Sequence, residues 1–98
     1  MVSKVTNMWS MFYGSKFNQD ISQWDVSCVI NMCSMFRWSS FNGDISKWDV
    51  SNVIDMKYMF SGWSFKGDIS SWNVNPNCIM YKMFYKNKKN KPFWYKTL

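Results

Sequence analysis

Apolar residues recur along this chain on two spacings at once. Val5, Met8 and Phe12 stand at i, i+3 and i+7, and Val29, Met32, Phe36 and then Val53, Met56, Phe60 repeat them. That spacing is one face of a 3.6-residue period and predicts a short helix. Met11, Met35, Met59 and Met83 widen the stripe. Ser3, Ser27, Ser51 and Asn75 share the position ahead of it, and Ser and Asn are favoured helix N-caps. Pro76 follows at the first helical position, where its missing N–H costs nothing. Helices are therefore predicted near residues 4–13, 28–37, 52–61 and 76–86. A second segment, Asp20-Ile21-Ser22-Gln23-Trp24-Asp25-Val26, recurs from Asp44 and from Asp68. It is short, β-branched and aromatic, and predicts a strand.

The longer spacing is 24 residues, from Asp20 to Asp44 to Asp68 without insertion. A fixed period in this range marks stacked repeats. Three coils span residues 2–25, 26–49 and 50–73, and a partial fourth spans 74–85. A single coil cannot bury its Val, Met, Phe, Ile and Trp, whereas stacking makes the core continuous. The predicted strands would stack as a parallel ladder about 4.8 Å apart, setting Trp24, Trp48 and Trp72 in one column and Ile21, Ile45 and Ile69 in another. The expected fold class is thus α/β: a short, right-handed, leucine-rich-repeat-like solenoid over residues 1–85. Each coil would be a short helix plus a short parallel strand. Turn-rich outer loops follow each predicted helix, closed by inward-turning Phe17, Phe41 and Phe65. The pattern fails after Phe84, where Lys89 and Pro92 replace Phe65 and Asp68 of the coil before. Residues 86–98 are expected to be a basic aromatic cap or tail.

The motif F-N-Q-D-I-S-Q-W-D-V-S-C-V-I-N-M-C-S-M-F, residues 17–36, closely resembles a family of tandem repeats. These occur in mycoplasma surface lipoproteins, BspA-like bacterial surface proteins and large DNA viruses. They form a domain-of-unknown-function family related to leucine-rich repeats, and the resemblance covers residues 2–84. It implies a solenoid used for adhesion or protein contact, without known enzymatic activity. Bacterial surface members carry an export signal and often many more repeats. Here Met1-Val2-Ser3-Lys4-Val5 leads straight into the first coil with no apolar leader, so an intracellular or virion setting is expected.

Composition changes this picture in two places. Aromatics make up 20% of the 98 residues, enough that some rings are expected at a contact surface. Charge is divided unevenly. Six cations balance six aspartates through residue 81, so the whole net charge of +6 lies in Lys82, Lys86, Lys88, Lys89, Lys91 and Lys96. Cys28, Cys33 and Cys78 occupy no repeated position and are read as free thiols in a reducing compartment. No apolar run is long enough to cross a bilayer.

Candidate chemistry is sparse. With no His and no Glu, acid–base catalysis has few agents, and no serine has a base to activate it. Three cysteines without histidine do not make a zinc site. Stacked Asp20, Asp44 and Asp68 could hold a calcium ion, but neighbouring backbone N–H groups and the hydroxyls of Ser22, Ser46 and Ser70 offset their repulsion more simply. No enzyme activity and no cofactor are expected. Partner contact is expected instead, from loop residues Trp38 and Trp63 and from the apolar edge of the first coil at Val2, Val5 and Met8. A protein partner or a second copy would meet that edge. The alternative is a nucleic-acid or membrane-surface interaction through Lys86, Lys88, Lys89, Lys91 and Lys96 among the tail aromatics. The simpler reading has Phe93, Trp94 and Tyr95 folding over the last coil.

Overall fold

The computed structural model describes residues 5–62, 65, 67–87 and 91–96. Among these residues there is no helix. The β pairing consists of isolated parallel bridges, Asn7–Asn31, Asn31–Asp55 and Asp55–Ile79. The expected α/β, leucine-rich-repeat-like solenoid of helix-plus-strand coils is therefore incorrect, and the backbone hydrogen bonds show why.

In the segment predicted as the first helix, Met8, Ser10, Phe12 and Gly14 donate their N–H groups to the carbonyls of Asn31, Cys33, Met35 and Arg37. Met11, Tyr13 and Ser15 donate three residues back, to Met8, Ser10 and Phe12. A helix needs successive N–H groups bonded four residues back within the segment. Here alternate ones leave it for the next coil. The segment is instead a ribbon of overlapping β-turns. Ser10 and Gly14, third in their turns, have φ of 55° and 65°, the sign a type II turn requires there. Ser34, Tyr58 and Lys82 repeat the first of these positions, and Trp38, Gly62 and Lys86 the second. The same four-bond ladder joins Met32, Ser34, Phe36 and Trp38 to Asp55, Lys57, Met59 and Ser61. It then joins Met56, Tyr58, Phe60 and Gly62 to Ile79, Tyr81, Met83 and Tyr85.

The segments predicted as strands are turns as well. Trp24, Trp48 and Trp72 donate their backbone N–H to Ile21, Ile45 and Ile69. Each turn opens on an aspartate whose Oδ1 accepts the N–H two residues on: Asp20 from Ser22, Asp44 from Ser46 and Asp68 from Ser70, all at 2.9 Å. Such Asx turns pull the chain out of extended geometry. Nor are Ser27 and Ser51 N-caps, and Ser3 lies outside the described residues. Ser27 and Ser51 donate both N–H and hydroxyl to Asp25 and Asp49, where a cap would accept. The ladder thus runs through the segment read as helical, and the segment read as strand is a corner.

Columns of like side chains fill the interior. Phe12, Phe36, Phe60 and Phe84 stack at centroid spacings of 5.5, 5.9 and 5.6 Å. Phe17, Phe41 and Phe65 lie flat against the first three, at 4.4, 4.8 and 4.5 Å. Trp48 Nε1 donates to the Ile21 carbonyl and Trp72 Nε1 to that of Ile45, one coil earlier in each case. Fully burying each such apolar side chain contributes about 1.5–3 kcal/mol. Principal extents of 33 × 30 × 21 Å make the stack no longer than it is wide. No helix among the described residues is long and apolar enough to cross a membrane.

The stack ends by imitation. Trp94 Nε1 donates to Ile69 O at 3.0 Å and its ring lies 6.0 Å from Trp72, so it extends the tryptophan column. Tyr95 N–H donates to Pro92 O, the corner turn again. The Tyr95 ring meets Phe84 edge-on, at 88°.

Candidate functional site

The two ends of the stack differ, and the first coil is the more open. Met11 is 49% exposed, while Met35, Met59 and Met83 at the same position in later coils are fully buried. Each of those three has a coil bonded before it in the stack. Trp9 is the most open tryptophan of the described chain, at 63%. Its exposure follows from the ribbon: it is the second residue of the first β-turn, held outward by its own N–H on Asn7 Oδ1 at 2.9 Å. Trp9 and Met11, with Val5, Asn7, Met8 and Trp24, line a cleft of about 280 Å³. None of the six can carry a charge, so the cleft offers apolar contact and amide or indole hydrogen bonding, not acid–base chemistry.

Its polar rim is mostly acceptors, with the Thr6 N–H among them at the position from which Ile30 and Ile54 donate to the preceding coil. The carbonyls of Asn7, Trp9, Met11 and Tyr13 occupy the ladder positions that accept bonds in every later coil, and here they have no partner among the described residues. Trp24 Nε1 likewise lacks the carbonyl that Trp48 and Trp72 find.

The expected contact residues divide between this cleft and other places. Val5 and Met8 sit in the cleft wall. Trp38 is half exposed but is a lid: its ring covers Gly62, where an added Cβ would come within 2.4 Å of it. Lys86 lies over the Tyr85 ring at 5.6 Å, Lys91 Nζ donates to the Asn87 carbonyl, and Lys96 is exposed. Val2, Trp63, Lys88 and Lys89 lie outside the described residues. Trp9, Met11 and Trp24 escaped the sequence reading as contact residues. Trp9 shares its position with Cys33, Lys57 and Tyr81, and that mismatch is the signal that marks it as an outward side chain.

Two further features complete the surface. On the ribbon face, the Arg37 guanidinium lies over Tyr58 at 4.1 Å and over Tyr13 at 5.8 Å, and Lys82 lies over Tyr85 at 4.7 Å. On the corner face, Asp44 and Asp68 border a polar cleft of about 510 Å³ with Ser46 and Ser70. Bonds from the Ser46 backbone and hydroxyl hold the Asp44 carboxyl below its ordinary range, and those from Ser22 do the same for Asp20. Among the described residues no group of three His, Cys, Asp or Glu could hold a metal ion.

A family model described as Mycoplasma protein of unknown function, DUF285, matches residues 1–94. The chain belongs to the DUF285 family. No curated protein and no solved structure matches it. The DUF285 match spans the turn-built coils and extends to Trp94.

Proposed function

We propose that this DUF285 chain is a non-catalytic interaction module that binds a protein partner through the open face of its first coil. The observation that carries this reading is the contrast at one repeated position, Met11 open against Met35, Met59 and Met83 buried. Exposed apolar surface beside unpaired ladder groups is what a strand-adding partner covers. The absence of any chargeable group from the cleft lining supports a binding role over a catalytic one. Radical footprinting tests it. Trp9 and Met11 should be protected from oxidation in native source material relative to the isolated chain, while exposed Phe93 serves as the unprotected reference. Equal oxidation of Trp9 and Met11 in both samples would sink the reading.

A second reading is supported by the ribbon face, where Arg37, Lys82 and Lys86 lie against tyrosine rings. Cations interleaved with rings suit single-stranded nucleic acid. Under that reading oligonucleotide binding falls steeply with salt, and Arg37→Gln with Lys82→Gln weakens it while Met11→Lys does not.

A further inference from the structure

The hydrogen-bond polarity of the stack says what the open face should accept. At every coil junction four N–H groups of the earlier coil meet four carbonyls of the later one. The first coil therefore presents carbonyls outward, from Asn7, Trp9, Met11 and Tyr13. The last presents N–H groups, from Met80, Lys82, Phe84 and Lys86, and these have no partner among the described residues either. One end is mainly a row of acceptors and the other mainly a row of donors, in the same register; the first coil adds the Thr6 N–H, at the position from which Ile30 and Ile54 donate to the coil before them.

We propose that the partner of the first coil is the last coil of a second copy of this chain, joined head to tail. This rests on the reading of the first-coil face as a binding surface. Met80, Lys82, Phe84 and Lys86 of one copy donate to Asn7, Trp9, Met11 and Tyr13 of the next, as each coil does to its successor within the chain. The indole N–H of Trp24, which has no partner among the described residues, then faces the Pro92 carbonyl of its neighbour, which stands where Ile21, Ile45 and Ile69 stand in their own turns. Head-to-head pairing is disfavoured because it sets two carbonyl rows against each other. Among the described tail residues, Trp94 and Tyr95 lie against Trp72 and Phe84, in the tryptophan and phenylalanine columns and not in the ladder. A contact between two different faces does not close on itself, so assembly continues into rings or open chains.

The experiment uses the full chain. Its mass distribution is followed against concentration, for the native sequence and for Met11→Lys. The proposal expects species beyond the dimer to grow in as concentration rises. Met11→Lys, at an exposed position, should raise the concentration needed by roughly tenfold or more, as loss of an interface anchor does. Cross-linking fixes the geometry. With Cys28, Cys33 and Cys78 replaced by alanine, a Trp9→Cys chain is mixed with a Tyr81→Cys chain under mild oxidation. In a head-to-tail stack these positions lie one coil apart, about 4.8 Å, within the roughly 4.4–6.8 Å that a disulfide bridges. The mixed disulfide should dominate, and native-sequence mass series guard against misfolding of the cysteine variants. A chain that stays monomeric throughout, or that links Trp9→Cys only to itself, overturns the proposal. If Trp9 and Met11 are nevertheless protected in native material, the interaction module stands and its partner is a different protein.

Discussion

Left-handed backbone is concentrated at two positions of the coil, and single residues there carry a conformational cost. Outside glycine that region costs roughly 1–2 kcal/mol per residue. Gly14 and Gly62 avoid it at one position, with φ of 65° and 76°. They differ in surroundings: nothing lies within 4 Å of a Cβ built on Gly14, whereas one on Gly62 meets the Trp38 ring at 2.4 Å. Gly14→Ala should therefore destabilise by about 1 kcal/mol, the backbone penalty alone. Gly62→Ala should cost about 1–3 kcal/mol more by overpacking, and that excess should vanish in a Trp38→Ala background. Chemical denaturation of the four proteins checks it; equal costs for the two glycines would show that Trp38 yields freely. Thiols at this scale also separate by position. Burial pushes the Cys78 thiol up to about 11, while Cys28 is exposed. The thiolate is the nucleophile, so iodoacetamide at pH 8 should label Cys28 in the native protein and spare Cys78, as peptide mass analysis would show.

Each coil is held at its corners by carboxylates that accept neighbouring bonds, and this gives the elements an acid limit. Bonds from the Ser22 and Ser46 backbone and hydroxyl depress Asp20 and Asp44; those from the Ser27 and Ser51 hydroxyl and backbone depress Asp25 and Asp49. A carboxyl depressed on folding stabilises fully above its unfolded value near 3.9, and the stabilisation is lost as pH falls through the lower folded value. The melting temperature should hold from pH 7 to about 5 and fall below about 4. Changing all four to asparagine keeps the Oδ1 acceptor, as Asn7, Asn31 and Asn75 already supply it elsewhere in the coils. Those variants should melt like the native chain at pH 7 and lose part of the acid slope; an unchanged slope would place the acid limit elsewhere. The same corners explain what the sequence hid. The 24-residue period is plain in Asp20, Asp44 and Asp68. The element type was not, because Met32, Met35 and Phe36 face inward from the turn ribbon at the i, i+3, i+4 spacing that a helix also uses. Long-range bonding of alternate N–H groups decides between the two, and local spacing does not report it. Gly14 and Gly62, at the far end of the ribbon in the first and third coils, were the legible hint of positive φ; Ser10 and Ser34 gave none.

For the whole molecule, what a side chain contributes depends on which coil it belongs to, not on which motif position it fills. Two of the six cleft residues were readable on that basis: Val5 and Met8 follow from an apolar first coil, whereas Trp9, Met11 and Trp24 become cleft residues only once the direction of stacking is known. The methionine column turns this into a measurement. Met11 and Met59 are the same letter of the repeat, one half exposed and one fully buried between neighbouring coils. Met59→Ala removes packed volume from a site that cannot collapse and should cost about 2–5 kcal/mol. Met11→Ala should change stability by less than about 0.5 kcal/mol in the isolated monomer. Coils that stabilise only their neighbours predict this gradient, whereas a core shared evenly by the whole chain predicts similar losses. Urea unfolding at a concentration low enough to keep the chain monomeric distinguishes them. Raising the protein concentration then adds the second comparison: if another copy covers the first coil, the two substitutions converge in cost, because Met11 becomes an interior residue of the longer stack.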